Sequence, residues 1–326
     1  MSREVIVLRE AEIRKLLDPA AGIEAMERAF AAYSSGQAEL PSVIHLDVPE
    51  NRGEIHVKAG YLHGSPSYAV KMVSGFANNP ARGLPANDGM VVVFDAKTGA
   101  PAAFLLDNGY ITDFRTAAAG AVAVKHLALE KVRCVAVIGT AGQARYQVEL
   151  AGKVRTFEEV CVWGRDSGKA RACAADLDSR GFRATVAKSV ESAVSQAEVV
   201  ITATASREPL VRAEWLRAGT TVVAVGSDSP EKQELDVDVL ARANRVVADS
   251  IVQCLRLGEI HHGVERGVIV AEKITELGEI TAGRSPGRTS PDEIIVCDLT
   301  GVGVQDVAAA SLVLERSGDR GERILI

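Results

Sequence analysis

The sequence predicts an α/β fold built around a doubly wound parallel sheet. From Lys131 onward, short β-rich runs alternate with helical segments, which is the order that parallel strands with crossover helices require. These runs are apolar throughout rather than alternating, so we expect both faces of the sheet to be buried. Aromatic residues make up 4% of the chain and hydrophobic residues 47%, a composition that suits packed α/β layers better than an aromatic-rich β-sandwich.

The chain of 326 residues is long enough for two domains. The parallel sheet is expected to begin near residue 125 and to end near residue 300. Its strands are expected at Val132–Ile138, Val160–Trp163, Val199–Thr202, Thr221–Val225 and Arg245–Ala248. The segment Ala282–Asp292, rich in turn-forming residues, is expected to be a surface loop.

The first third of the chain mixes helices and strands. Asp18-Pro19 predicts the start of a helix and Gly36 its end. Apolar residues recur on one face of this helix, at Ile23, Met26, Phe30 and Tyr33. Strands are expected at Ile55–Val57, Tyr68–Val73 and Met90–Phe94. An alanine-rich stretch from Asp113 to Leu129 predicts a buried helix that links the two domains.

Charge and hydropathy exclude two classes of partner. The net charge of −6 and the pI near 5.7 argue against a nucleic-acid partner, which requires a basic protein face. No apolar run approaches the ~20 residues of a membrane helix. The amino terminus lacks the apolar segment of a secretory signal. We therefore expect a cytoplasmic protein without a membrane partner.

Cysteines and histidines show no metal-ligand spacing, and no metal site is predicted. The cysteines are scattered without a Cys-x-x-Cys pair, which favours reduced, mostly buried thiols. They are Cys134, Cys161, Cys173, Cys254 and Cys297. The adjacent pair His261-His262 is expected on a helix, with side chains that diverge.

A glycine-rich turn follows the first strand of the predicted sheet and precedes a helix. Its residues are Gly139, Thr140, Ala141, Gly142, Gln143 and Ala144. Glycines in such a turn let the backbone approach a pyrophosphate, and the helix amino terminus supplies N–H donors and a positive dipole. The turn therefore predicts a dinucleotide site, and a tight turn without a ligand is the alternative. It departs from the usual fingerprint at Ala141, where a glycine is typical.

The end of the second strand indicates which dinucleotide binds. An acidic residue here binds the ribose hydroxyls of NAD, whereas an arginine accommodates the additional phosphate of NADP. The sequence offers both, and Arg165 precedes Asp166. NADP(H) is therefore the preferred cofactor and NAD(H) the alternative. Without a ligand, Arg165 would be a solvated residue at a strand end.

Three further segments resemble one family. Tyr110–Ala119 contains Thr112-x-x-Arg115-Thr-Ala-Ala, Gly226-Ser227-Asp228 opens a loop that continues Ser-Pro-Glu-Lys-Gln-Glu-Leu, and Asp298–Asp306 reads Asp-Leu-Thr-Gly-Val-Gly-Val-Gln-Asp. Together with the glycine turn, they resemble in order the signatures of the ornithine cyclodeaminase/mu-crystallin family.

The resemblance implies a domain organisation. A Rossmann-type doubly wound sheet, residues 125–301, would bind the dinucleotide. It would be inserted into a discontinuous α+β domain for substrate binding and dimerisation, residues 1–124 and 302–326. A homodimer is implied as well. Further cofactor contacts are expected at Thr112, Thr202 and Gly301.

Two cations are candidates for holding a substrate carboxylate. Lys71 lies in an apolar strand, on the face opposite Val70 and Met72, and a buried lysine requires a negative partner. Arg115 is expected at the start of an alanine-rich helix, which disfavours a cation unless an anion pairs with it. Both match carboxylate-binding positions of the family, and a structural salt bridge is the alternative for each.

Asp228 is the candidate proton donor. It follows a strand at the carboxyl end of the sheet, where α/β folds place their ligands. A carboxyl group there can exchange a proton with the substrate nitrogen while hydride moves at the carbon. An ordinary turn initiator is the alternative, and the resemblance favours catalysis, with Lys71 as the second catalytic residue.

Two departures from the family bear on the substrate. Val43 stands where ornithine cyclodeaminases have an arginine, and His56 falls near the glutamate that senses the distal amine of ornithine. Lys58 could replace the missing arginine, so Lys58 and His56 are further substrate-binding candidates. These departures weaken the case for ornithine but not for a carboxylate-bearing substrate.

The predicted function is the NAD(P)H-dependent reduction of a small cyclic or linear α-imino acid. The first alternative is a lyase that keeps its cofactor and eliminates ammonia or water from a small amino acid. The second is an NADPH-binding protein of the mu-crystallin type. Lys71, Arg115 and Asp228 together favour an enzyme, because binding alone does not require the aspartate.

Overall fold

A computed structural model describes residues 3–325. Its helices are α1 (Glu10–Leu16), α2 (Pro19–Ser34), α3 (Tyr110–Leu127), α4 (Gly142–Ala151), α5 (Ser167–Ser179), α6 (Val190–Val194), α7 (Val237–Arg242), α8 (Ile251–Cys254), α9 (Ile260–Glu265), α10 (Leu277–Thr281) and α11 (Gly303–Ser317). Its strands are β1 (Glu4–Arg9), β2 (Ala38–Glu39), β3 (Ile44–Val48), β4 (Gly53–Leu62), β5 (Ser67–Phe76), β6 (Asn87–Asp95), β7 (Pro101–Leu106), β8 (Cys134–Ile138), β9 (Glu159–Trp163), β10 (Ala184–Val186), β11 (Val199–Thr202), β12 (Thr221–Ala224), β13 (Arg245–Ala248), β14 (Ile274–Glu276), β15 (Ile295–Asp298) and β16 (Glu322–Leu325).

The chain divides into two compact units. The first comprises Met1–Arg115 and Gly303–Ile326, and the second comprises Thr116–Val302. The division therefore falls within α3. Helix α3 begins at Tyr110, three residues before the expected start, because the N–H of Ile111 already bonds to the carboxylate of Asp107. The binding role assigned to each unit stays a prediction.

The second unit is a doubly wound parallel sheet, as predicted. Its eight strands lie in the order β10-β9-β8-β11-β12-β15-β13-β14, and every pairing is parallel. The central strands β8, β11, β12 and β15 are buried along their whole length, as expected for a sheet covered on both faces. The strand order reverses between β8 and β11, and a sheet of this kind binds its ligands at that reversal.

All five strands expected in this unit are present, but three others were not expected. The most consequential is β15, which lies between β12 and β13 and so separates two strands that are consecutive in the chain. It follows the expected loop, whose Arg288 bonds to the carbonyl oxygens of Leu127, Gly219 and Glu293. This anchor holds the loop on the unit although it has no regular secondary structure.

The first unit is a mixed sheet in the order β16-β1-β7-β6-β5-β4-β2, with β3 also paired to β4. Within this sheet, as far as residues 3–325 describe it, only the β1–β7 pairing is parallel. Helix α2 starts as predicted, because Asp18 accepts a hydrogen bond from the N–H of Ala21 at 3.0 Å. Helix α11 packs against α2, β4 and β5.

The thiols agree with expectation, whereas the histidine pair does not. All five cysteines are buried and free of disulfides. The divergence expected for His261 and His262 is wrong, because their ring centroids lie 3.7 Å apart. Both rings turn toward carbonyl oxygens of one neighbouring loop. Between residues 3 and 325, no helix combines the length and apolar character that a bilayer crossing requires.

Candidate active-site residues

A buried cluster of charged side chains lies in the first unit. Lys71 on β5 donates from Nζ to Asp306 Oδ1 at 2.8 Å, and Arg115 on α3 donates from Nε to the same oxygen at 3.1 Å. Arg115 also donates from Nη1 to Gln305 Oε1 at 2.6 Å. All of these residues are at most 6% exposed. The sequence predicted that a buried Lys71 has a negative partner. The structure identifies that partner as Asp306.

The charges in this cluster do not balance around Asp306. Two cations share one oxygen of a single carboxylate, while the other oxygen, Oδ2, has no hydrogen-bond partner. Burial, together with the Arg115 and Lys58 cations, lowers the pKa of Lys71 to about 8, although Asp306 opposes the shift. Burial alone would raise the pKa of Asp306, but the neighbouring cations lower it to about 2. Lys71 and Arg115 thus carry one more charge than Asp306 alone neutralises.

Local structure explains why these residues meet. Alternation along β5 turns Lys71 toward the helices, on the opposite face from Val70 and Met72. Asp306 lies in the first turn of α11, where the helix dipole favours a carboxylate. The expectation that Arg115 begins a helix is wrong, because α3 starts five residues earlier and the pairing with Asp306 explains its burial instead.

Sequence reasoning missed Asp306 and Gln305 as members of the cluster. Both lie in the segment that resembles the family, and Asp306 is a lone charge in the otherwise uncharged run from Leu299 to Leu314. Asp107 was missed as well. It is 2% exposed, and burial raises the pKa of its carboxyl group to about 6.

Three further candidates lie near Lys71. Lys58 on β4 is paired with Lys71 on β5, so both side chains project from the same face of the sheet. Thr112 accepts a hydrogen bond from Lys71 Nζ at 3.2 Å. His56 lies two residues before Lys58 on the same face, 3.6 Å from Glu54. Substrate binding by Lys58 and His56 and cofactor binding by Thr112 stay predictions.

The glycine turn of the second unit has the backbone that a dinucleotide fingerprint requires. Gly139 directly follows β8 with a φ of +137°, and a Cβ atom there would lie 2.5 Å from the carbonyl oxygen of Ala203. Ala141 is the N-cap of α4, and no side chain caps this end of the helix. Arg145 fixes the turn by donating to the carbonyl oxygens of Thr140 and Ala141.

The turn lies where the strand order reverses, between the carboxyl ends of β8 and β11. Its position and its uncapped helix fit a dinucleotide pyrophosphate. Ala144 is fully buried and serves packing. Gln143 bonds to Gln147 of the same helix. Cofactor binding by these residues stays a prediction.

The two candidates after β9 have different surroundings. Asp166 caps α5, because its carboxylate accepts a hydrogen bond from the N–H of Lys169 at 2.9 Å. Arg165 is exposed at the end of the strand. The carboxylate is thus engaged in the helix cap, and the guanidinium group is the more available of the two charges.

Asp228 lies on a loop that follows β12, and its side chain is 59% exposed. Lys232 Nζ donates to Asp228 Oδ1 at 2.5 Å. His261 Nε2 lies 3.1 Å from the carbonyl oxygen of Pro230, and His262 Nε2 lies 2.9 Å from that of Lys232. The two imidazoles therefore fix the backbone on which the candidate proton donor is mounted.

Four buried carboxylates organise the loops at this edge of the sheet. Glu234 accepts hydrogen bonds from the N–H groups of Thr204 and Gly226 and from the hydroxyl of Thr202. Burial raises the pKa of Glu234. The side chain of Thr202 is therefore engaged within the protein, and its role in cofactor binding stays a prediction.

The remaining three carboxylates continue the same pattern. Glu259 accepts from the N–H groups of residues 234 and 235, and Asp298 accepts from those of residues 259 and 260. Asp249 accepts from the N–H of Gly301 at 2.7 Å. Burial raises the pKa of Asp298 to about 8. Each carboxylate thus fixes one loop by its backbone, and sequence reasoning found none of them.

A parallel sheet with a glycine turn at its point of reversal defines an α/β protein of the dinucleotide-binding class. Residues 3–321 match the ornithine cyclodeaminase/mu-crystallin family. The chain belongs to this family, which confirms the resemblance found in the sequence.

Three solved structures are similar over nearly the whole chain. An archaeal alanine dehydrogenase dimer with bound NAD has 34% identity, covers 99% of both chains and has a TM-score of 0.91. The Δ1-pyrroline-2-carboxylate reductase of Thermococcus litoralis, in complex with NADH and L-proline, has 31% identity, covers 98% of this chain and all of the other, and has a TM-score of 0.92. The iminosuccinate reductase of Paracoccus denitrificans, in complex with NAD+, has 31% identity, covers 99% of both chains and has a TM-score of 0.90.

Proposed function

We propose that the protein is a nicotinamide-dinucleotide-dependent reductase of a small α-imino acid. The observation that carries this proposal is the buried cluster in which two cations, Lys71 and Arg115, share the single negative charge of Asp306. An imino acid brings the carboxylate that such a cluster lacks. The three related structures, an alanine dehydrogenase and two imino-acid reductases, support the same chemistry.

Lys71 and Arg115 would hold the substrate carboxylate. The planar guanidinium of Arg115 already has its Nε and Nη1 groups fixed by Asp306 and Gln305, so its remaining donors keep one orientation. Lys58 would add a third charge on the same face of the sheet. These positively charged side chains would keep the carboxylate in place while the C=N bond is reduced.

Asp228 would carry the proton. Reduction of a C=N bond adds one hydride to carbon and one proton to nitrogen, and a bound nicotinamide dinucleotide supplies the hydride. The exposed carboxyl group of Asp228 can deliver the proton, and Lys232 and the histidine-held loop keep it oriented. Lys71, with a pKa near 8, is the second group that can exchange a proton near pH 7.

The preferred cofactor would be NADP(H), bound by the glycine turn with Arg165 on the additional phosphate. The cap formed by Asp166 supports this preference, because it leaves the arginine exposed. The related structures are named with NAD, NADH and NAD+, so the dinucleotide itself is the common element. If Arg165 binds the phosphate, Arg165→Ala will weaken NADPH binding and leave NADH binding nearly unchanged.

A homodimer is the proposed assembly. The registers of β3 to β6 align Ile44, Val57, Met72 and Met90 across one face of the sheet. Ile44 is 63% exposed and Met90 is 37% exposed, so this face presents apolar side chains to solvent. One related structure is named as a dimer. Light scattering should find two chains per particle, and Ile44→Asp should shift the population toward monomer; a wild-type monomer at micromolar concentration would refute the assembly.

The decisive experiment follows cofactor absorbance with NADPH and then NADH. The substrates are pyrroline-2-carboxylate, piperideine-2-carboxylate, and pyruvate or oxaloacetate with ammonia. Stoichiometric consumption of cofactor on one of them supports the reductase. Silence on all of them, with ammonia or water released from ornithine, hydroxyprolines or hydroxy amino acids, would replace it with the cofactor-retaining lyase. Tight NADPH binding without any turnover would replace it with the crystallin-type binding protein.

The role of Asp228 has its own test. Asp228→Asn should abolish turnover and leave dinucleotide affinity nearly intact, because the side chain is exposed and the loop is held by other contacts. Glu231→Gln, a substitution of an exposed carboxylate on the same loop, serves as the matched control and should keep activity. Equal loss of turnover and of cofactor binding in Asp228→Asn would refute the assignment.

A further inference from the structure

The β3–β4 hairpin brings together four potential metal ligands, two from each strand. Its register pairs His45 with His56 and Asp47 with Glu54. Directly opposed residues of an antiparallel pair lie on the same face, and so do residues two apart along a strand. All four side chains therefore project from one face of the hairpin.

The distances fit a metal ion. One ligand atom each from His45, His56 and Glu54 lies within 4.8 Å of the others. The ligands of a tetrahedral zinc ion, bound at about 2.0 to 2.1 Å, lie about 3.3 Å apart. The His56 Nε2–Glu54 Oε2 distance of 3.6 Å is close to that value, and the imidazole centroids of His45 and His56 are 4.6 Å apart. Small side-chain rotations would complete the coordination.

A fourth residue supports the arrangement. Asp47 Oδ1 lies 3.0 Å from His45 Nε2. A carboxylate bonded to one ring nitrogen orients an imidazole whose other nitrogen binds the metal. Neither imidazole is buried, since the His45 side chain is 45% exposed and that of His56 is 32% exposed. An ion therefore has direct access from solvent.

The other histidine cluster of the described chain does not offer such a site. His261 has both ring nitrogens within hydrogen-bond distance of carbonyl oxygens, those of Gly258 and Pro230. His262 bonds through Nε2 to the carbonyl oxygen of Lys232. Glu265 is the third member of this cluster. The two imidazoles beside it already bond to backbone carbonyl oxygens and hold a loop in place.

We propose that His45, His56 and Glu54 form a site for a divalent transition-metal ion, with Zn²⁺ the preferred ion and Asp47 orienting His45. Imidazole nitrogen with one carboxylate oxygen suits Zn²⁺ better than Mg²⁺ or Ca²⁺, which prefer oxygen ligands. Three protein ligands leave one coordination position open. His56 lies two residues from Lys58 along β4, about 7 Å away. The site is therefore on the sheet face that carries Lys58 and Lys71.

The test is a titration of the full-length chain, with any affinity tag removed, with Zn²⁺ in a calorimeter and with Co²⁺ in a spectrophotometer. We expect one Zn²⁺ per chain and the intense visible absorption of four-coordinate Co²⁺. His45→Ala and Glu54→Gln should each raise the dissociation constant for Zn²⁺ by about tenfold or more. Because both side chains are exposed, circular dichroism should show unchanged folding.

His63→Ala is the matched control. His63 also pairs with a carboxylate, Glu39, at 2.9 Å, but among residues 3–325 this pair belongs to no group of three potential ligands close enough to hold an ion. Its removal should leave Zn²⁺ binding unchanged. Absence of saturable Zn²⁺ binding in the unsubstituted chain, or binding that survives His45→Ala, would overturn the proposal. Both readouts are independent of enzyme activity, so the failure of the proposed reductase would not affect them.

Discussion

Replacing Asp306 with asparagine tests the charge balance of the buried cluster. Asparagine keeps the shape of the side chain but removes the negative charge that Lys71 and Arg115 share. The pKa of Asp306 is lowered from 3.8 to about 2, which corresponds to about 2 kcal/mol of stability at pH 7. This contribution is present above pH 4 and is lost as the pH falls toward 2, because the lowered pKa belongs to the folded state.

The cost of Asp306→Asn should depend on pH in a particular way. Between about pH 4 and pH 8 the variant must keep two buried cations without their carboxylate, and we expect its free energy of unfolding to fall by about 2 kcal/mol. As the pH rises through about 8, Lys71 loses its proton in the unsubstituted protein. The difference between the two proteins should therefore shrink above pH 8 and leave only the contribution of Arg115.

The measurement must report on the first unit. Both tryptophans, Trp163 and Trp215, lie in the second unit, so their fluorescence does not report on the cluster. Hydrogen exchange of peptides from β5 and α11, followed by mass spectrometry at pH 7 and pH 9, gives the opening free energy locally. Asp319→Asn, at an exposed aspartate of the same unit, should change it by less than about 0.5 kcal/mol. A loss for Asp306→Asn no larger than that of the control, or one that grows with pH, would refute the reasoning.

Three other substitutions test separate parts of the site. The kcat/KM of the reductase should fall as the pH rises through about 8, the pKa of Lys71, and Lys71→Arg should move that fall to higher pH; an unchanged profile would contradict the role of the lysine. Gly139→Ala places a Cβ 2.5 Å from a backbone oxygen and should weaken NADPH binding at least about tenfold in a fluorescence titration. Gly181→Ala, with a φ of +91° but no atom near the new Cβ, is its control and should bind normally. Each carboxylate oxygen of Glu234 accepts one backbone N–H, so Glu234→Gln must turn its amide NH₂ toward one of these two donors. The free energy of unfolding, measured by tryptophan fluorescence in urea, should fall by about 1 to 3 kcal/mol. A stability equal to that of the unsubstituted protein would contradict this prediction.

The sequence by itself determined the class of the fold and the identity of several candidates. Apolar runs alternating with helices fix a parallel sheet, because a strand buried on both faces has no polar positions. The glycine turn could be recognised in the sequence because such a turn needs a residue without a side chain. Gly139 adopts a φ of +137°, which other residues disfavour. Lys71 could be singled out because a charge in an apolar strand requires a partner.

Only the tertiary structure decided which partners these residues have. Asp306 lies 235 residues from Lys71 along the chain, and nothing in the local sequence connects them. His45 and His56 have no metal-ligand spacing in the sequence, and only the register of β3 on β4 brings them together. The position of β15 between β12 and β13 likewise cannot be predicted from the local sequence. Periodicity and turn chemistry act over a few residues, whereas pairing across strands and burial of charge depend on the fold as a whole.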